Sequence, residues 1–170
     1  MKRYNCPLPP FDDIMSHKIT PMLRCGSHAS DLATYYCTIF PDARITKTNP
    51  VVTTFEVFGQ TLATINGWPH PDGTINPSIS FSLWIKDQEQ TKVLWEKLSE
   101  GGEVLMPFQE YVRSPAYGRC NDKHGVSRQV MYDNRPETIQ NALIPSLMFT
   151  GINNGKTQEA MELYRYIPRK

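Results

Sequence analysis

The stretch Ile19 to Pro41, ITPMLRCGSHASDLATYYCTIFP, decides how the rest of the chain is read. It opens with an apolar run, Ile19 to Cys25, which Gly26 and Ser27 then break. Beyond the break, Ala29, Leu32, Ala33, Tyr36, Ile39 and Phe40 recur at the three- and four-residue spacing of one helix face. Pro41 ends the pattern, because the residue before a proline is pushed out of helical geometry. The stretch predicts a strand, a turn and an amphipathic helix. The same unit occurs twice more. SISFSLWI (Ser78 to Ile85) is a strand, and Asp87 to Ser99 a helix with Val93, Leu94 and Leu98 on its apolar face. LIPSLMFTG (Leu143 to Gly151) leads into KTQEAMELYRYIP (Lys156 to Pro168). There Pro145, Leu147, Tyr164 and Ile167 stand where Pro21, Leu23, Tyr36 and Ile39 stand in the first copy, given one short insertion around Ile152 to Gly155. A recurring unit sets the architecture of a chain before any motif does.

Strands fill the space between these units. ARITK (Ala43 to Lys47) alternates apolar and polar residues, as a half-buried strand should. VVTTFEVF (Val51 to Phe58) is rich in β-branched and aromatic residues. Gly59 and Gln60 are expected to turn the chain back into a strand from Thr61 to Asn66. GWPHPDGTINP (Gly67 to Pro77) is a turn-rich loop. In the second round Gly101 and Gly102 stop the helix. Strands then start at Glu103 and at Ala116, and Val126 to Tyr132 alternates into a last one. Two rounds of strand, helix and three strands therefore fit between Lys18 and Tyr132. The chain divides into an N-terminal arm (1–14), a domain (15–133) with modules at about 18–67 and 78–132, and a strand-helix extension (134–170) that starts a further module without completing it.

Composition excludes several classes. Eighteen Lys and Arg balance 17 Asp and Glu, for a net charge of +1. That gives no electrostatic case for a nucleic acid or an anionic membrane as partner. No apolar run approaches the roughly 20 residues of a membrane span, and the N-terminus lacks the apolar core of a signal peptide. Cys6, Cys25, Cys37 and Cys120 show neither metal spacing nor a dense disulfide pattern. A reduced, cytoplasmic protein is the simplest expectation. Trp84, Trp95, Phe81 and Phe108 have no basic stripe beside them, so they read as core. There is no nucleophile elbow, phosphate loop or paired-carboxylate motif.

ITPMLRC, the helix ending YYCTIFPDARI, the hairpin FEVFGQTLATINGWPH, the helix ending VLWEKLSEGGE and the run YGRCNDKHGVSRQV, in this order and spacing, resemble the PhnB-like family. Its members also carry the label demethylubiquinone 3-methyltransferase-like. The family belongs to the vicinal oxygen chelate superfamily, with glyoxalase I and the bleomycin- and fosfomycin-resistance proteins. The resemblance covers about Lys18 to Tyr132. It implies an α+β fold: paired βαβββ modules forming a curled, cup-shaped mixed sheet with helices outside, a ligand site inside the cup, and a homodimer. The residues do not support methyl transfer, since no glycine-rich strand-to-helix turn is followed by an acidic residue.

Metal-dependent relatives place His or Glu on the first and fourth strands of each module. The matching positions here are Thr20, Asn66, Ser78 or Ser80, and Gln129, all hydroxyls or amides, where such an ion wants imidazole or carboxylate. No metal and no cofactor is therefore expected. His17 and His28 read as surface residues. Within Asn66-Gly67-Trp68-Pro69-His70, a loop the family often places at the cup mouth, Trp68 and His70 are ligand candidates. The full candidate set is Thr20, Asn66, Trp68, His70, Ser80, Tyr117 and Gln129. Met22, Phe55, Ala63, Phe81 and Gln129 are expected to line the cup floor.

The chain departs from the family where Arg119, His124 and Arg128 replace aromatic residues. An Arg in a core would be costly, so these sites are expected to face solvent. If one faces the cup instead, it would favour an anionic ligand. Asp122 reads as a turn residue capping its own backbone. Two functions remain: metal-free binding of a small molecule in the cup, or a metal-independent lyase, isomerase or transferase of the superfamily. The extension's apolar residues need a partner surface, so it is expected to dock on its own domain or on a second subunit.

Overall fold

The computed structural model describes residues 20–25, 28–67, 75, 78–112, 114–136 and 140–165. The first module holds β1 (Met22–Cys25), α1 (Ala29–Ile39), β2 (Arg44–Thr48), β3 (Val52–Val57) and β4 (Gln60–Asn66). The second repeats that order with β5 (Ile79–Ile85), α2 (Gln88–Ser99), β6 (Glu103–Tyr111), β7 (Ser114–Asn121) and β8 (Ser127–Tyr132). In each module the first strand lies parallel to the last, β1 with β4 and β5 with β8. A parallel pair needs a long crossover, and the helix with its two following strands supplies it. The result is α+β: two mixed sheets, ordered β1-β4-β3-β2 and β6-β7-β8-β5-β9, neither closed into a barrel.

The extension adds the fifth strand. β9 (Ala142–Leu147) runs antiparallel to β5, from Ile79 opposite Leu147 to Trp84 opposite Ala142. It docks on its own domain and buries Leu143. A single turn of 3-10 helix and α3 (Thr157–Arg165) follow. Met161, Leu163 and Tyr164 of α3 remain exposed.

Helix α1 packs on β3 and β4, and α2 on β7 and β8. The helix-covered faces of both sheets share one core. Leu32, Tyr36 and Ile39 of α1 and Leu94, Trp95 and Leu98 of α2 join Phe55, Val57 and Leu62 of one sheet to Phe81, Leu83, Ile85 and Val130 of the other. Among the described residues no helix packs on the opposite face of either sheet. Register assigns residues to these faces, because side chains alternate along a strand. Phe55 stacks on Tyr36 at 5.9 Å, and Phe81 lies in the shared core, so both face the helices and not the cup floor expected for them. Ala63 lies opposite Thr54 and Met22, on the other face, and Met22 there is exposed. Gln129 also takes the helix-free face, since its neighbours Arg128 and Val130 are buried in the core.

Two further expectations need correction. The β3–β4 turn is Phe58-Gly59, with φ of 49° and 73°, and Gln60 already belongs to β4. A two-residue hairpin loop with both central residues left-handed matches the twist of its strands. Phe58 is held there by its N–H to Asp42 Oδ2 at 2.8 Å and by its ring against Phe40. Arg128 does not face solvent. It is 1 % exposed, with its guanidinium 4.5 Å from the Tyr36 ring and 4.9 Å from Phe81. Its Nε donates to Asp122 Oδ2 at 3.2 Å, and the Tyr36 hydroxyl donates to the same oxygen at 2.8 Å. Asp122 Oδ1 accepts the N–H groups of His124 and Val126, both at 3.0 Å, as a turn-capping residue does. Burial alone would lower the Arg128 pKa, but Tyr36 and Asp122 outweigh it and raise it, so the guanidinium stays charged. Burial raises the Tyr36 hydroxyl well above its ordinary range, so it donates as a neutral phenol. One buried ion pair thus fastens α1 of the first module to the β7–β8 turn of the second.

Candidate functional site

The helix-free face of the second sheet gathers polar side chains. Along β7, Tyr117 and Arg119 point to this face, because their neighbours Ala116, Gly118 and Cys120 are buried in the core. Gln129 lies opposite Arg119 across β7–β8 and opposite Ser82 across β8–β5. The Tyr117 hydroxyl donates to Gln129 Oε1 at 3.0 Å, and Gln129 Nε2 donates to Ser80 Oγ at 2.8 Å. Ser82 Oγ meets Ser146 Oγ of β9 at 2.8 Å. Burial raises the Tyr117 pKa, with the Arg119 charge acting against it, so the phenol remains a donor. Tyr117 and Gln129 are half-buried, so the chain of hydrogen bonds lies at the rim of solvent.

Three of the seven candidates are therefore joined: Ser80, Tyr117 and Gln129. The others are not. Thr20 is exposed and precedes β1. Asn66 faces the helix: its Oδ1 accepts the Ala29 N–H at 2.8 Å, and its Nδ2 donates to Pro50 O at 2.9 Å. It caps α1 from a distance, where His28 at the N-cap position makes no side-chain cap. Trp68 and His70 lie outside the described residues. Sequence reading placed Trp84 in the core and did not single out Ser82 or Ser146; Ser82 and Trp84 alternate with the core residues Phe81, Leu83 and Ile85, and Ser146 lies opposite Ser80, so all three share the face of Ser80.

Two grooves lie elsewhere. One of about 340 Å³ is bounded by Pro41, Asp42, Phe58, Gly59, Gln90, Gln140 and Asn141. Its polar groups serve the fold: Asp42 holds the Phe58 N–H, and Asn141 holds Lys86 and Gln90. A second, of about 300 Å³, lies between Arg24, His28, Asp31 and His124. His28 is paired there with Asp31 at 3.5 Å. Among the described residues no three His, Cys, Asp or Glu side chains stand close enough to share an ion. The hydroxyls and amides at the positions used by metal-dependent relatives do not fit a divalent transition metal.

A family model described as 3-demethylubiquinone-9 3-methyltransferase matches residues 17–131. The chain belongs to this PhnB-like family. A PhnB protein from Bacillus cereus is 26 % identical, with a TM-score of 0.63 over 68 % of this chain and 99 % of its own. A glyoxalase-related enzyme from Fulvimarina pelagi is 12 % identical, with a TM-score of 0.52 over 75 % of this chain and 97 % of its own. The fosfomycin resistance protein FosX from Listeria monocytogenes, whose structure holds Mn(II) and sulfate, is 14 % identical, with a TM-score of 0.53 over 72 % of this chain and 94 % of its own. The last two likenesses concern the fold alone. No curated protein matches the chain. The family match stops at residue 131, so β9 and α3 of this PhnB-like chain lie beyond it. No helix of the described residues is long and apolar enough to cross a membrane.

Proposed function

We propose that this PhnB-like protein binds a small organic molecule on the helix-free face of its second sheet, using protein groups without a metal. The observation that supports this is the chain Tyr117–Gln129–Ser80. Its members hold one another in fixed orientation on a half-open surface, which is how a site keeps polar groups ready for a ligand. A second copy of the chain would close the face. Met131 and Ile144 are half-buried apolar residues of that face, opposite Trp84 and Ser82, and covering them would favour a homodimer. Cys25, Cys37 and Cys120 are free thiols, which suits a reducing, cytoplasmic setting.

The test is a thermal-shift screen of the purified chain against small acids, amides and aromatic compounds. A specific ligand raises the melting temperature, because it stabilises the folded state by mass action. Tyr117→Phe, which removes the hydroxyl donor and keeps the ring, should weaken the best hit. A full set of hits unmoved by Tyr117→Phe and Gln129→Leu would place binding elsewhere. Turnover of a bound compound would establish the enzyme reading in place of simple binding.

A further inference from the structure

We propose that Arg119 makes this site selective for an organic carboxylate. The inference rests on the reading that the helix-free face of the second sheet binds a small molecule. Arg119 lies mid-strand on β7, between Met106 of β6 and Gln129 of β8. Its Nε and Nη2 are shielded from water and meet no acceptor. A guanidinium is charged throughout the physiological range, and shielded donors without partners are unfavourable. An arriving anion would relieve that.

Among the described residues none substitutes for such an anion. Both ends of the Gln129 amide are committed, to Tyr117 and to Ser80. Glu103, on the outer strand, accepts from Asn121 at 3.0 Å. The ion pairs found among the described residues join His28 with Asp31, Arg44 with Glu56, Arg128 with Asp122, and Arg135 with Asp133. None includes Arg119. The Asn121 Oδ1 also lacks a donor, but one neutral carbonyl cannot fill a two-pronged fork. Strands β7, β8, β5 and β9 carry no Asp or Glu within their spans. An anion at Arg119 would therefore meet a cation with one exposed carboxylate, Glu103, in the adjoining row and already engaged by Asn121.

A second orphan donor extends the argument. Trp84 Nε1 is shielded and has no acceptor. Trp84 occupies the next row of the same face, two strands from Arg119. Strand spacing and residue rise separate the two backbone positions by about 12 Å, and both side chains are long enough to shorten that gap. The face fits a short molecule with a carboxylate at Arg119 and a hydrogen-bond acceptor or an aromatic body toward Trp84.

The experiment compares benzoate with benzamide, which share a shape and differ in charge. Binding to the full chain is followed by calorimetry and tryptophan fluorescence. Benzoate should bind the tighter of the two and weaken as salt is raised. Arg119→Met should weaken benzoate by about tenfold or more, a charge-assisted hydrogen bond's worth, and leave benzamide unchanged. Arg119→Lys, which keeps the charge and loses the fork, should fall between. Without ligand, Arg119→Met should melt no lower than the parent, because it removes an unpaired charge, and this shows that the variant is folded. Equal binding of both probes, indifferent to Arg119→Met, would overturn the carboxylate inference and leave the site itself standing. Failure of both probes, together with a screen that gives no ligand sensitive to Tyr117→Phe, would overturn both. Benzoate binding retained in an Arg119→Met protein that has shifted from dimer to monomer would assign Arg119 to the contact between copies, and would also overturn it.

Discussion

Asp122→Asn should be among the most damaging single changes in this protein. The substitution keeps the shape and removes the charge that the buried Arg128 guanidinium needs. Asp122 and Arg128 side chains are 0 % and 1 % exposed, so water cannot take the place of the lost partner. An amide also presents an N–H₂ where Oδ2 now accepts from both Tyr36 and Arg128. Breaking a buried pair from one side costs about 3–5 kcal/mol, a large part of the roughly 5–15 kcal/mol that holds a domain together. Arg128→Met should cost less, about 1–3 kcal/mol. The carboxylate it leaves behind still accepts from the His124 and Val126 N–H groups and from the Tyr36 hydroxyl. The double variant should then be more stable than Asp122→Asn alone, because an amide beside a thioether leaves no buried charge. Urea unfolding of the four proteins measures the cycle. Losses that add to within about 0.5 kcal/mol would refute the reasoning, since independent sites add and coupled ones do not.

Asn66→Ala should cost about 1 kcal/mol in the same assay, the usual loss of a helix cap, and Asn66→Asp should recover only part of it, keeping the acceptor for the Ala29 N–H but losing the donor to Pro50 O. Cys120 is fully buried, and burial pushes its thiol up from 9.0 to about 11. The sign follows: the unfolded thiol ionises first as pH rises through 9.0, so the stability present below that pH is lost up to about 11. Cys120→Ala should remove up to about 3 kcal/mol of that alkaline loss, and a thiol reagent should reach Cys120 only in unfolded protein. Gly118→Ala should destabilise by about 1–3 kcal/mol, because a Cβ there would lie 2.6 Å from Trp95 Cζ3, whose ring is stacked on Phe108; a compensating Trp95→Phe tests that contact. Removal of residues 142–170 should lower the melting temperature, since it strips the β9 pairing from β5 and uncovers the core beside Leu143.

Much of the fold was legible because the repeat of strand, helix and strands is written in periodicity, and the helix faces of Leu32, Tyr36, Leu94 and Leu98 are buried as their spacing says. Face assignment was harder. VTTFEV alternates cleanly, but alternation says only that two faces differ, and a one-residue slip exchanges them. Phe55 and Phe81 turned toward the helices, where a covered surface can take an aromatic ring. Arg128 was misjudged by treating charge as exposure. The signal was present: Arg128 and Val130 of β8 share one phase with Val126 just before it, and all three are buried. Its partners could not be read, because Tyr36 lies 86 positions from Asp122 and only the packing of two modules brings them together. Asn66 caps a helix that starts 37 residues earlier, by the same kind of distant contact. Ser80, Tyr117 and Gln129 were singled out from the family resemblance, and what the structure adds is the hydrogen bonds that join them.

Pro145 gives β9 a consequence beyond docking. The Met148 N–H reaches Ser78 O at 2.8 Å, and hydrogen-bonded and non-bonded pairs alternate along an antiparallel ladder. Pro145 stands opposite Phe81, at a non-bonded pair, so the position where its N–H would be points away from β5. The residue that lacks a donor is set on the outer margin, in the middle of the strand. A sheet grows by offering donors and acceptors to the next chain, and here the offer is interrupted at its centre. The strand that extends the sheet by one also discourages it from growing by another, so that the same six residues act as both the last rung and the stop.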